Sequence, residues 1–202
     1  LAFSEYKTAL ELSKYFKKAE AYSINIPLSR FQKGYDLIIY NSETKKSITI
    51  QVKASRSYVD TAKRNHRDID FPIDCHFLFK NFEIKLGASD YYLLFGIYVK
   101  PADNSNIATR VAKNKYSFFY LLFSESQMIN FLDSIRKKNS NEPESRFSFA
   151  LDFEGKIYLR RGSPETKNYS DFFLKNRIDE LKKKLNPKRK ILKPTKSRNK
   201  KR

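Results

Sequence analysis

The stretch GYDLIIYNSETKKSITIQVKAS, residues 34–55, decides how the chain is read. Two short apolar runs flank the polar segment NSETKK, which is the pattern of a β-hairpin. Successive side chains of a strand alternate between its faces. Ile48, Ile50 and Val52 therefore share one face, and Thr49, Gln51 and Lys53 the other. In the preceding run Leu37 and Ile39 lie on one face, Asp36 and Ile38 on the other. Pairing symmetrically about a turn between Glu43 and Thr44 sets Asp36 across from Gln51, with Cβ atoms about 4.5–5.5 Å apart and Lys53 on the diagonal. A slip of two residues keeps these polar groups together, whereas a slip of one separates them.

That gathering suits one kind of chemistry. A carboxylate and an amide oxygen are hard ligands of the sort Mg²⁺ accepts, with waters completing its shell, and the Val52 backbone carbonyl is a further oxygen nearby. A lysine beside such an ion orients an attacking water and stabilises charge developing on phosphorus. The same spacing also fits an ordinary edge hairpin, with Asp36 and Lys53 an exposed ion pair of little energetic weight.

Around the hairpin the chain alternates helical and extended patterns. SEYKTALELSKYFKK (4–18) has apolar residues at helical spacing, with Ser4 as N-cap. AYSINIP (21–27) reads as a strand, residues 54–70 as a polar, basic loop, and FPIDCHFLF (71–79) as a buried strand. DYYLLFGIYVK (90–100) reads as a central strand, and YSFFYLLF (116–123) as another. The helix SESQMINFLDSIRKK (124–138) opens with Ser124 and Gln127 as a capping box. RFSFALDF and KIYLRR form a hairpin about Glu154-Gly155, and SDFFLKNRIDELKKKL (170–185) a helix capped by Ser170. The fold class is α/β, a mixed central β-sheet flanked by helices, with a C-terminal helix and a basic tail.

The 202 residues suit one domain, and 40% hydrophobic content supplies a core. The net charge of +19 is unevenly spread. From Lys182 onward there are 12 Lys or Arg and no acid, so +19 less 12 leaves +7 for residues 1–181. Such a basic arm points to a polyanion partner, nucleic acid first. The single Cys75 excludes an internal disulfide framework and suggests a reducing, cytoplasmic setting, nucleoid-associated in a bacterium. Cys75, His66 and His76 do not make a convincing zinc set. No apolar run reaches the roughly 18–20 residues that span a bilayer, no secretory signal opens the chain, and no membrane partner is expected.

The hairpin resembles the core of the PD-(D/E)XK nuclease superfamily, whose motif is an Asp at the start of one strand and (D/E)-X-K on the next. Asp36 matches the first acid, and Gln51-Val52-Lys53 the second half with Gln in place of the acid. SEYKTALELSKYF resembles the family's first helix, which often carries a metal-supporting Glu; Glu5 fits that place best and Glu11 is the alternative. The resemblance covers residues 1–138 and implies a restriction-endonuclease-like core. It implies a Mg²⁺-dependent endonuclease acting on double-stranded DNA, with Mn²⁺ able to substitute. Asp36, Gln51, the Val52 carbonyl and Glu5 would hold the ion, and Lys53 would support the reaction. Gln51 brings no charge, which leaves open a catalytically inactive nucleic-acid-binding relative. A third reading is an RNA-associated basic protein with a merely structural hairpin. A homodimer is expected if both strands of a duplex are cut.

Residues 139–185 are expected to pack on this core as a hairpin and helix, and 186–202 to form the tail. Ser55, Arg56, Lys63, Arg64 and Arg67, just after the motif strand, are candidate phosphate contacts, as are Lys188, Arg189 and Lys190 in the tail. Lys182, Lys183 and Lys184 join that clamp. Phe118, Phe119 and Tyr120 lie in a strand-length apolar run and are assigned to the core; Tyr35 and Tyr58 are the better stacking candidates.

Overall fold

A computed structural model describes residues 3–27, 34–59, 75–79, 84–99, 116–135, 146–151, 155–161 and 167–187. Within them the strands are β1 (Tyr22–Asn25), β2 (Leu37–Asn41), β3 (Lys46–Val59), β4 (Cys75–Phe79) and β5 (Tyr91–Val99). Beyond these come β6 (Tyr116–Ser124), β7 (Phe147–Leu151), β8 (Ile157–Arg161) and the short β9 (Lys167–Asn168). The helices are α1 (Phe3–Ser13), α2 (Glu125–Ser134) and α3 (Leu174–Leu185).

The central hairpin turns on a side chain. Asn41 Oδ1 accepts from the N–H groups of Glu43 at 2.9 Å and Thr44 at 3.0 Å, and Lys45 adopts a left-handed φ of 59°. The strands then pair antiparallel with Leu37 opposite Ile50 and Ile39 opposite Ile48, the register expected from symmetry about the turn. Asp36, one residue before the paired span, meets β3 through the Ile50 carbonyl and the Val52 N–H. All four of those aliphatic side chains are fully buried. Each is worth about 2 kcal/mol relative to exposure, so a one-residue slip would forfeit all four.

β3 is the hub of the sheet. β2 and then β1 extend it antiparallel on one side, β5 runs parallel to its middle, and β6 pairs antiparallel with β5. Its last residues pair with β4, and the ladder continues through β7, β8 and β9. One face of the main sheet, carrying Ile50, Val52, Leu93 and Phe95, packs on α1 and α3 through Leu12, Leu174, Ile178 and Leu181. The other, carrying Tyr92, Leu94, Phe119 and Phe123, meets Phe77, Phe79, Phe147 and Phe149 of the second ladder and Met128 and Phe131 of α2. Residues 147–161 are thus part of the sheet itself, joined through β4, as well as packed on the core.

Several local expectations give way to long-range pairing. Residues 54–59 are strand rather than loop, because β5 and β4 satisfy their backbone groups despite a polar sequence. Ser4 is not a cap: α1 already begins at Phe3, and the Ser4 carbonyl accepts from Thr8 Oγ1 at 2.7 Å. Ser170 opens a 3₁₀ turn instead of capping α3, and its hydroxyl oxygen accepts from Ile157 N–H at 3.1 Å. The capping box of α2 is present as expected, with Gln127 N–H donating to Ser124 Oγ and Ser124 N–H to Gln127 Oε1. No helix among the described residues is long and apolar enough to cross a membrane.

Candidate active site

Asp36 stands immediately before β2, where the ladder with β3 ends. Its backbone N–H donates to the Ile50 carbonyl at 2.9 Å, and its Oδ2 accepts from the Val52 N–H at 2.7 Å. Within a strand, N–H and C=O of one residue point to the same neighbour. The Val52 carbonyl therefore faces the same side as its N–H, toward the end of β2. Asp36 Oδ1 has no hydrogen-bond partner among the described residues. Burial pushes the Asp36 carboxyl above its ordinary range, while the Val52 N–H and the nearby Lys53 ammonium oppose this and only partly offset it.

Gln51 and Lys53 are half-buried and share the face opposite to α1, beside Tyr92 and Leu94 of β5. The Lys53 charge acts on the Asp36 carboxyl and opposes its rise. Gln51 and Lys53 thus share one face of β3, and Asp36 is joined to β3 through the Val52 N–H.

The two candidate acids of α1 separate. Glu5 lies three and seven residues before the buried Thr8 and Leu12, on the stripe of α1 that faces the sheet, and α1 packs against β3. No hydrogen bond or ion pair joins Glu5 to Asp36, Gln51 or Lys53 among the described residues. Glu11 is turned away: it pairs with Lys14 at 2.6 Å and lines a cleft along β6.

Some expected phosphate contacts are placed otherwise. Ser55 is only 7% exposed, and its hydroxyl donates to the Leu78 carbonyl at 2.9 Å, so it stitches β3 to β4 inside the fold. Arg56 belongs to β3 beside Ile97, and its side chain lies outside the described residues. Lys63, Arg64, His66, Arg67, Lys188, Arg189 and Lys190 also lie outside them. Lys182 and Lys184 pair with acids, Lys182 with Glu20 at 3.2 Å and the exposed Lys184 with Asp90 at 2.7 Å. Their charge is thereby largely matched within the protein.

Asp90 is the residue sequence reading missed, though it shares a signature with Asp36: each immediately precedes an apolar strand that pairs with β3. Asp90 Oδ2 accepts from Thr49 N–H and Thr49 Oγ1, both at 2.9 Å, and Oδ1 accepts from Lys184. Burial pushes the Asp90 carboxyl up, but Lys184 and the two Thr49 donors together outweigh it and hold it below the ordinary range. The contrast separates the two acids. Asp90 is a saturated structural clamp, whereas Asp36 is raised by burial and keeps one oxygen without a partner among the described residues. Undercompensated carboxylates of that kind mark functional sites.

The donors at Asp36 are all oxygens, which matches Mg²⁺ or Mn²⁺ rather than a thiophilic ion. Among the described residues no three His, Cys, Asp or Glu side chains gather as a metal group. The set here instead rests on one acid, one amide and a backbone carbonyl, a composition that leaves most of the shell to water. No protein-family model, curated protein or solved structure matches the chain.

Proposed function

We propose that the chain is a metal-dependent endonuclease that hydrolyses phosphodiester bonds in DNA on a restriction-endonuclease-like core. The observation that carries this reading is Asp36: an acid fixed at the head of a strand by Val52 N–H, with Oδ1 unpartnered among the described residues and the Lys53 charge acting on it. The order of elements supports it too, with α1 first, Asp36 before β2, Gln51-Val52-Lys53 on β3, and β5, β6 and α2 following.

Asp36 Oδ1, the Gln51 amide oxygen and the Val52 carbonyl would hold Mg²⁺ or Mn²⁺. When bound, the ion polarises the scissile phosphate and lowers the pKa of a coordinated water. The Val52 N–H locks the Asp36 carboxylate in one orientation, so this ligand is preorganised. The Lys53 ammonium donates to the attacking water or to a phosphate oxygen, where negative charge grows in the transition state. The water oxygen joins phosphorus and gives up a proton to solvent as the bond to the leaving sugar oxygen breaks, and that oxygen takes a proton from solvent. One such site cuts one strand, so cleavage of a duplex calls for a homodimer.

The test is incubation with plasmid, branched and single-stranded DNA in Mg²⁺, Mn²⁺ or EDTA, alongside Asp36→Asn and Lys53→Ala. Cleavage requiring the metal and lost in both variants is expected. Cleavage that survives either substitution would sink the site. Gln51, which brings no charge, favours a second reading: a DNA-binding relative without chemistry, for which salt-sensitive binding would persist with no cleavage in either metal.

A further inference from the structure

A cleft of about 330 Å³ opens along β6, which pairs with β5 and is bridged at Leu121 by Phe173. Three consecutive residues of β6, Phe118, Phe119 and Tyr120, line it. Tyr15, just past the end of α1, and Phe173, just before α3, line it as well. Of these rings only Phe119 is buried; Tyr15, Phe118, Tyr120 and Phe173 keep part of their surface in the cleft. Phe118 and Tyr120, expected in the core, therefore stand at its margin. Aromatic walls interrupted by Glu11 and Lys175 give this cleft both apolar and polar surface for a small ligand.

The polar groups are arranged by charge. Glu11 stands in the wall; its Oε2 pairs with Lys14, and its Oε1 has no hydrogen-bond partner among the described residues. Tyr120 lines the same cleft, and burial, helped by the Glu11 charge, pushes its hydroxyl up to about 12. The ammonium of Lys175, also in the lining, lies 5.8 Å from the Phe173 ring centre, and outside the lining Lys7 lies 5.4 Å from that of Phe118. An acceptor among stacked rings, with cations nearby, complements a nucleotide: amino-bearing base within, phosphate at the rim.

We propose that this cleft takes one unstacked nucleobase carrying an exocyclic amine, cytosine in preference to thymine, from a single-stranded part of the substrate. The base stacks among Tyr15, Phe118, Tyr120 and Phe173, Glu11 accepts from the amine, and Lys175 meets the flanking phosphate. This rests on the nucleic-acid reading above, though not on its hydrolytic chemistry.

The test uses the full chain in EDTA, where no cleavage occurs, and fluorescence anisotropy with oligo(dC), oligo(dT) and a blunt duplex at one salt concentration. Wild type is expected to bind oligo(dC) about tenfold more tightly than oligo(dT). Tyr15→Ala weakens both single strands about tenfold with duplex binding unchanged. Glu11→Gln, nearly isosteric, abolishes the preference for oligo(dC) while keeping oligo(dT) affinity, and its melting temperature checks folding independently. Equal affinity of the wild type for the two oligonucleotides, or a preference that survives Glu11→Gln, overturns the proposal. Absence of cleavage in Mg²⁺ together with a Glu11-dependent preference would reject the nuclease and retain the cleft.

Discussion

The Asp36 carboxylate accepts a 2.7 Å hydrogen bond from the Val52 N–H, so an acid serves as the acceptor for β3 where β2 ends. That single contact joins a structural and a chemical role, and substitutions can separate them. Asp36→Asn keeps an oxygen for Val52 and removes a buried charge, so it should melt no lower than wild type at neutral pH. It should still lose cleavage by a factor on the order of 10²–10³. Asp36→Ala leaves Val52 N–H unpaired and should also cost about 1–3 kcal/mol. Urea denaturation and initial cleavage rates, measured on the same preparations, check both halves.

Gln51→Glu restores a second negative charge beside Asp36. Metal affinity follows ligand charge, so the Mg²⁺ concentration for half-maximal cleavage should fall about tenfold. A metal titration unchanged by this substitution would remove Gln51 from the ligand set.

Asp90 ties β3, β5 and α3 together through Thr49 and Lys184. Its carboxyl is held below the ordinary range, so the folded state favours the ionised form. The resulting stability is present above the unfolded pKa, roughly 3.9 for Asp, and is lost as pH falls through the lower folded value. Asp90→Ala should cost about 2 kcal/mol at pH 7. The difference in melting temperature from wild type should shrink steadily as the pH is taken down toward 3.

Gly96 lies beneath the Phe119 ring: a Cβ there would sit 2.0 Å from Phe119 Cε1. The ring cannot readily move, since it packs edge-on against Phe77 with centroids 4.5 Å apart. Gly96→Ala should therefore destabilise by about 1–3 kcal/mol, measured by chemical denaturation, without a change in Mg²⁺ dependence.

Much of the site's frame was legible because it is local. The register of Leu37 with Ile50, and Gln51 and Lys53 on one face, follow from side-chain alternation and a turn whose Asn41 closes on Glu43 and Thr44. The α2 capping box follows from Ser124 and Gln127 three residues apart. Choosing between Glu5 and Glu11 did not follow, because both sit on one amphipathic helix and only its packing angle on β3 distinguishes them. Ser55 looked like a surface hydroxyl until β4 supplied the Leu78 carbonyl. Lys182 and Lys184 looked like a free clamp until Glu20 and Asp90 came beside them.

By itself the sequence determined which side chains share a face, where the hairpin turns and which register buries Leu37, Ile39, Ile48 and Ile50. Periodicity and turn length are properties of neighbouring residues, and burial penalises every alternative register. The tertiary structure alone decided that β3 runs on to Val59, that β4 and β7 pair, and that a cleft opens beside β6. Those features depend on which distant strand satisfies a backbone group or covers a ring, and no local pattern carries that information.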